Sequence, residues 1–479
     1  MSASREKKNR QELNASGYVD PKAQEAAEKA AKEKRTGRLY TGCIIAFLVL
    51  AVALFVWNSN LFQRGATAYT IDGQDYSAAE MSYYYGGAYQ NFYSQYGTYA
   101  SYFFDSSKSL RDQEYSEGKS WFDYFADQAK QTLTQEHRMV AAANAAGYSD
   151  DEYVDAQEEY QVALMSAYAK SNGMSLSELL KNYYGELMSE KVFRSCVRRS
   201  ALASSYSASQ YNSYEYDDAA LKAAYDADPD QYDMVDIEYV IVNATYADDA
   251  TDEEKAAAIE LAKKQADHVI ELIDGGDEME AASKTVEGTY YHTGYSTYGS
   301  ASDVLVWAFD DARKAGDTAV IEMSETAYYA VKFNSRFRPD ESPVSVRHIL
   351  VADEETANDI LAQFNEGEKT ESAFAALAVS NSTDSGSASN GGLYTDFYYG
   401  QMVEAFEEWS FDPARQSGDT GIVQTDYGYH VMYFVERNSE PYWKVSADND
   451  LRGEAYSAWL EEVTAGDDGV EGSGMKYVG

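Results

Sequence analysis

Val344-Ser-Val-Arg-His-Ile-Leu-Val351 alternates β-branched with polar residues and then runs apolar, the pattern of a largely buried strand. The pattern occurs once before, as Val235-Asp-Ile-Glu-Tyr-Val-Ile-Val242. Each run leads into an acidic, alanine-rich stretch with the marks of a helix, and Thr251 with Glu254 forms a capping box at the start of the first. Further on, Trp307-Ala-Phe-Asp-Asp-Ala-Arg-Lys-Ala-Gly-Asp-Thr318 matches Trp409-Ser-Phe-Asp-Pro-Ala-Arg-Gln-Ser-Gly-Asp-Thr420. Ala327-Tyr-Tyr-Ala-Val-Lys-Phe333 then matches Gly428-Tyr-His-Val-Met-Tyr-Phe434. Three matches in one order mean two copies of one α/β module, expected over residues 233–338 and 343–438.

The rest of the chain frames these modules. At 479 residues it exceeds a single core and suits about three domains. A formal net charge of −41 argues against nucleic acid as a partner, since phosphate binding needs clustered Lys and Arg. Only Cys43 and Cys196 are present, and no Cys/His cluster, phosphate loop or calcium-loop spacing occurs; no metal or cofactor is expected.

Tyr40 to Trp57 is a run of 18 residues without a charge, long enough at 1.5 Å per residue to span most of a bilayer core of about 30 Å. Residues 1–38 carry a net charge of +4, leaving −45 beyond them. The expectation is a cytoplasmic basic tail (1–38), a transmembrane helix (39–58) and extracytoplasmic domains held at the cell membrane by a single pass. Cleavage near Ala66-Thr67-Ala68 is the alternative.

Residues 66–232 read as a mainly helical domain. Thr67 to Tyr76 is a short strand, an Asp-Gly turn and a second short strand. From Ser77 to about Arg199 the pattern is helical, with Phe122, Phe125, Ala129, Leu133 and Val140 at helical spacing and a capping box at Ser175 and Glu178, before a hinge at Ser200 to Tyr216. Ten tyrosines fall between Tyr69 and Tyr102, as an amphipathic core or as a client-binding face. Residues 446–464, with Leu451, Tyr456, Trp459 and Leu460 at helical spacing, read as a final helix.

The second module resembles the parvulin-type peptidyl-prolyl isomerases. The resemblance rests on His348 in its strand, Ser382-Thr-Asp384 followed by Gly391-Gly392, Gly400-Gln-Met-Val-Glu-Ala-Phe406, and Thr425-Asp-Tyr-Gly-Tyr-His430. With the other segments, the chain resembles the PrsA/SurA-like extracytoplasmic foldases. The resemblance implies a multidomain α+β protein: an N-terminal transmembrane helix, a helical chaperone domain, two parvulin-like modules of small antiparallel sheet and surrounding helices, and a C-terminal helix docked on the helical domain.

It further implies a non-covalent isomerase without cofactor, acting on X-Pro bonds of unfolded exported proteins. His348, His430, Asp384 and Thr425 would form the catalytic network. Met402 and Phe406, set one helical turn apart, would line the proline slot with Tyr394 and Phe411. Tyr394 stands where parvulins usually carry leucine. Aligning the copies puts Tyr239 at the place of His348 and Tyr329 at that of His430, so the first module is expected to be inactive. A non-enzymatic holdase with two inactive client-binding modules is the competing function, and a homodimer is left open.

Overall fold

A computed structural model describes residues 3–15, 25, 29, 32, 34, 44–50, 60–299 and 302–479. The chain divides into two units, Met1–Gln210 with Trp459–Gly479, and Tyr211–Ala458.

In the first unit, the strand Thr67–Ile71 lies between Gln74–Ser77 and Val470–Glu471, so the C-terminal segment closes a three-stranded sheet begun near the start of the unit. Helices Ala78–Tyr96, Trp121–Ala145, Asp151–Ser171, Leu176–Tyr184 and Glu190–Asn212 make up the bulk. Three of them open with complete capping boxes, Ser77/Glu80, Ser120/Asp123 and Ser175/Glu178, which satisfy amides that a helix start leaves unpaired. Of the ten clustered tyrosines, Tyr69, Tyr76, Tyr84 and Tyr85 are buried, and Tyr83, Tyr89, Tyr93 and Tyr96 pack against the same core; Tyr99 and Tyr102 are exposed. The tyrosine stripe is mostly interior.

The expected membrane-spanning helix does not hold: among the described residues no helix is long and apolar enough to cross a membrane. Within Tyr40 to Trp57 the described helical residues are 44–50. The remainder of that expectation, with most of the basic tail, lies outside the described residues.

In the second unit the repeat appears as two antiparallel four-stranded sheets of like order. The first runs Tyr290–Thr297, Met234–Asn243, Ala327–Phe337, Thr318–Ser324; the second runs Leu393–Phe397, Val344–Val351, Gly428–Arg437, Thr420–Thr425. Strict alternation assigns the faces. In the second sheet Ile349, Val351, Val431 and Tyr433 pack beneath helices Glu354–Glu366 and Glu371–Asn381. Val344, Val346, Met432 and Phe434 point to the opposite face, against Phe397, Phe406 and Phe411. Each such buried side chain contributes about 1.5–3 kcal/mol of hydrophobic free energy, so register is tightly specified: a one-residue slip would exchange the two faces.

The first sheet repeats this arrangement. Val240, Val242, Tyr328 and Ala330 pack with the helix Asp252–Asp274, while Val235, Ile237, Val331 and Phe333 face Val304 and Ala308 of the short helix Asp303–Ala308. The final helix runs Tyr442–Thr464, beginning four residues before its expected start.

Candidate active site

His348 and His430 share the slot face of the second sheet because each sits an even number of residues from the valine, methionine and phenylalanine that point there. Register places His348 opposite Met432 and His430 opposite Leu350, so the two histidines are diagonal neighbours on the two central strands. Their rings stack at 20° with centroids 5.1 Å apart, and the two Nδ1 atoms lie 2.9 Å from each other. Both are buried.

The surrounding groups fix the tautomers. His348 Nε2 lies 3.0 Å from Asp384 Oδ2 and 3.0 Å from Ser387 Oγ. The Ser387 hydroxyl and the Gly386 amide both donate to Asp384. Burial by itself would raise the Asp384 carboxyl, but these bonds and that to His348 outweigh it and bring it down to about 2. An ionised carboxylate only accepts, so His348 carries its hydrogen on Nε2 and presents a bare Nδ1. His430 must then donate from Nδ1, leaving its Nε2 to accept from the Thr425 hydroxyl at 2.8 Å. Thr425 Oγ1 in turn accepts from the Tyr427 amide at 3.1 Å. Every member is satisfied with both imidazoles neutral, the condition under which a buried polar network rigidifies a site.

Burial lowers the pKa of both histidines. For His348 the neighbouring Asp384 opposes the shift without cancelling it; for His430 the adjacent His348 adds to burial and the value falls to about 4. Between that value and the ordinary 6.5 an unfolded chain binds a proton that the folded site refuses. Stability is therefore fully present above pH 6.5 and declines as the pH falls toward 4. We expect this group to cost the second unit roughly 2–3 kcal/mol across that window, checked by urea unfolding from pH 7.5 to 4; replacing His430 with a neutral side chain would flatten the acid limb.

A cleft of about 290 Å³ opens over the pair, lined by His348, Leu350, Asp384, Tyr394, Gln401, Met402, Val403, Phe406, Tyr427 and His430. Phe406 sets its ring edge-on to both histidines, with centroids at 5.4 and 5.5 Å. Tyr394 reaches across the cleft to donate to Asp384 Oδ2 at 3.2 Å. Of the eight residues singled out in the sequence, His348, His430, Asp384, Tyr394, Met402 and Phe406 line the cleft, and Thr425 touches it through His430.

Phe411 does not join them. It is packed against Phe397 and Tyr399, both at 5.5 Å, under the Arg437 guanidinium. It shares the ring of Phe397 with Phe406, but from the far end of the helix Glu404–Phe411, outside the cleft lining. Met402 also differs from expectation in its setting: it precedes that helix, so loop geometry and not helical spacing brings it beside Phe406.

Two buried residues escaped sequence reasoning. Ser387 bridges His348 and Asp384, and its only signal was a hydroxyl three residues beyond Asp384 in a Ser/Gly-rich loop. Glu407 turns its carboxylate inward to accept the amides of Gly400 and Met402, each at 2.7 Å. In sequence it is one of three glutamates on a short helix, and nothing local separates it from exposed Glu404 and Glu408.

In the first module Tyr239 stands opposite Val331 and Tyr329 opposite Ile241, the registers that His348 and His430 hold in the second. The two tyrosine rings lie 5.2 Å apart, with His292 stacked on Tyr239. That position holds no imidazole pair.

The family model of the PPIC-type PPIASE domain matches residues 328–438. Foldase protein PrsA 1 of Listeria innocua is 38% identical over 109 residues, covering 23% of this chain and 36% of that protein. Foldase protein PrsA 3 of Bacillus cereus is 39% identical over 132 residues, 27% of this chain and 43% of that protein. The chain thus spans well under half the length of these relatives. The solved parvulin NmPin of Nitrosopumilus maritimus is 32% identical and covers 20% of this chain and 99% of its own, with a TM-score of 0.18, at which the structural likeness carries no argument of its own. Residues 328–438, which take in the whole of the second module and most of the strand Ala327–Phe337 before it, thus match the PPIC-type peptidyl-prolyl isomerase domain, and over part of its length the chain is similar to the PrsA foldases.

Proposed function

We propose that the chain is a peptidyl-prolyl cis-trans isomerase that assists the folding of exported proteins. The observation that carries this reading is the neutral, fully bonded His348–His430 pair at the floor of a cleft walled by Met402 and Phe406. An X-Pro bond must cross a barrier near 20 kcal/mol, and it does so over tens of seconds or longer in water. In the twisted amide the carbonyl oxygen loses the partial negative charge that resonance gives it in the planar form. An apolar slot that holds the proline ring beside the ionised Asp384 disfavours the planar, charge-separated amide relative to the twisted one. The Thr425–His430–His348–Asp384 chain keeps that carboxylate and the slot floor in fixed orientation, so little reorganisation is needed as the bond turns. No covalent bond forms, and no cofactor takes part.

Clients on this reading are extended, unfolded segments containing proline. The basic tail against an acidic remainder supports work outside the cytoplasm. The test is refolding of a client whose slow phase is X-Pro isomerisation, with the full chain at a tenth of the client concentration. A catalyst multiplies the rate of that phase at this ratio, and His430→Ala or Met402→Ala removes the effect. An influence on yield alone, appearing only near equimolar chain and unchanged by those substitutions, would support the holdase reading instead.

A further inference from the structure

The segment Tyr398–Val403 is held from two sides. Its amides at Gly400 and Met402 are fixed by Glu407 Oε1, and Gln401 N donates to Tyr398 O at 3.3 Å. Its outer side rests on the first module. A Cβ built on Gly400 would meet Cδ2 of Tyr295 at 2.7 Å and Cγ at 3.0 Å, so the Tyr295 ring lies flush against the Gly400 backbone. Gly400 also has φ +99°, a conformation that side chains rarely adopt. A Cβ on Gly294 would in turn lie 3.2 Å from the Gly400 carbonyl oxygen. Phe337 packs edge-on to Tyr295 at 5.0 Å, and Tyr399 lies 6.4 Å from it, so the ring is locked in an aromatic cluster. From the other side of this seated loop, Gln401, Met402 and Val403 project into the cleft.

We propose that Tyr295, in the module without the histidine pair, is a positioning residue for the cleft of the other module, acting through Gly400 to hold Met402 in place. The first module then has a task that needs no catalysis of its own: its edge strand Tyr290–Thr297 supplies one wall of the support for the Gly400-Gln-Met loop. The contact is made by the ring face, so the conservative variant Tyr295→Phe retains it, whereas Tyr295→Ala removes the support on the outer side of Gly400 and leaves Glu407 and the packing of Tyr398 on Tyr442 and of Tyr399 on Phe411. A client that deforms the first module would alter the slot by the same route.

The proposal rests on the isomerase reading, and two measurements on the full chain keep the two apart. Amide hydrogen exchange at Gly400 and Met402 is expected to quicken about tenfold in Tyr295→Ala, with the central-strand amides of His348 and His430 unchanged, as for local and not global opening. kcat/KM on an X-Pro peptide is expected to fall about tenfold, mainly in kcat, as suits a misplacement of under 1 Å in a slot residue. Tyr295→Phe should restore both. Unchanged exchange at Gly400 and Met402 in Tyr295→Ala would overturn the proposal, as would quickened exchange with kcat/KM intact. A wild-type chain without isomerase activity would defeat the enzymatic reading, and the loop-holding role of Tyr295 would then be decided by the exchange rates alone.

Discussion

Gly392→Ala is expected to unfold the second module under conditions where the wild-type chain is folded. A Cβ at this position would lie 2.1 Å from the carbonyl oxygen of His348. That oxygen belongs to a central strand and cannot retreat, because the same two residues are tied by the His348 amide donating to Gly392 O at 2.8 Å. The backbone is also left-handed, with φ +72°, which costs a residue with a side chain about 1 kcal/mol before any clash. Together these exceed about 4 kcal/mol, the range reached by few single substitutions. The measurement is urea unfolding followed by near-ultraviolet circular dichroism. Gly453→Ala is the control: nothing lies within 4 Å of a Cβ there, and the position is inside the helix Tyr442–Thr464. It should stabilise by up to about 1 kcal/mol through helix propensity.

Phe406→Ala is expected to remove activity more completely than any substitution in the histidine network. The ring touches His348, His430 and Phe397, with Tyr394 at 6.5 Å, so its loss opens the slot wall and uncovers the pair together. Truncating a buried phenylalanine costs about 3–5 kcal/mol in stability. A water-filled slot also loses the desolvation on which the electrostatic argument depends, and kcat/KM should drop about 100-fold or more. Phe406→Leu, which keeps the slot apolar, should recover most of the stability and part of the rate. Comparable activity in Phe406→Ala and wild type would place the proline ring elsewhere.

The sequence was most legible where a pattern repeats. The two strand runs, Val235 to Val242 and Val344 to Val351, lie in corresponding places of two like-ordered sheets, because alternation fixes which face each residue serves. The capping boxes at Thr251/Glu254 and Ser175/Glu178 were legible for a local reason: both partners fall within four residues. The network around His348 was less so. Asp384 could be named from its motif, but Ser387 and Glu407 act through tertiary contacts that no spacing encodes. Phe411, named with the slot residues, packs on Phe397 and Tyr399 outside the cleft lining. The apolar run Tyr40 to Trp57 stands apart, since among its described residues no helix is long and apolar enough to cross a membrane.

The central claim concerns one cleft and one bond, and a line-shape measurement on a short peptide containing Ala-Pro tests it most directly. In nuclear magnetic resonance, cis and trans forms of such a peptide give separate signals because exchange is slow in water. With the full chain at one-hundredth of the peptide concentration at pH 7.5, the signals are expected to broaden or show exchange cross-peaks, and Met402→Ala and His430→Ala should each sharpen them again. Cis and trans signals that stay sharp across a panel of residues preceding proline, with the wild-type chain folded, would contradict the account.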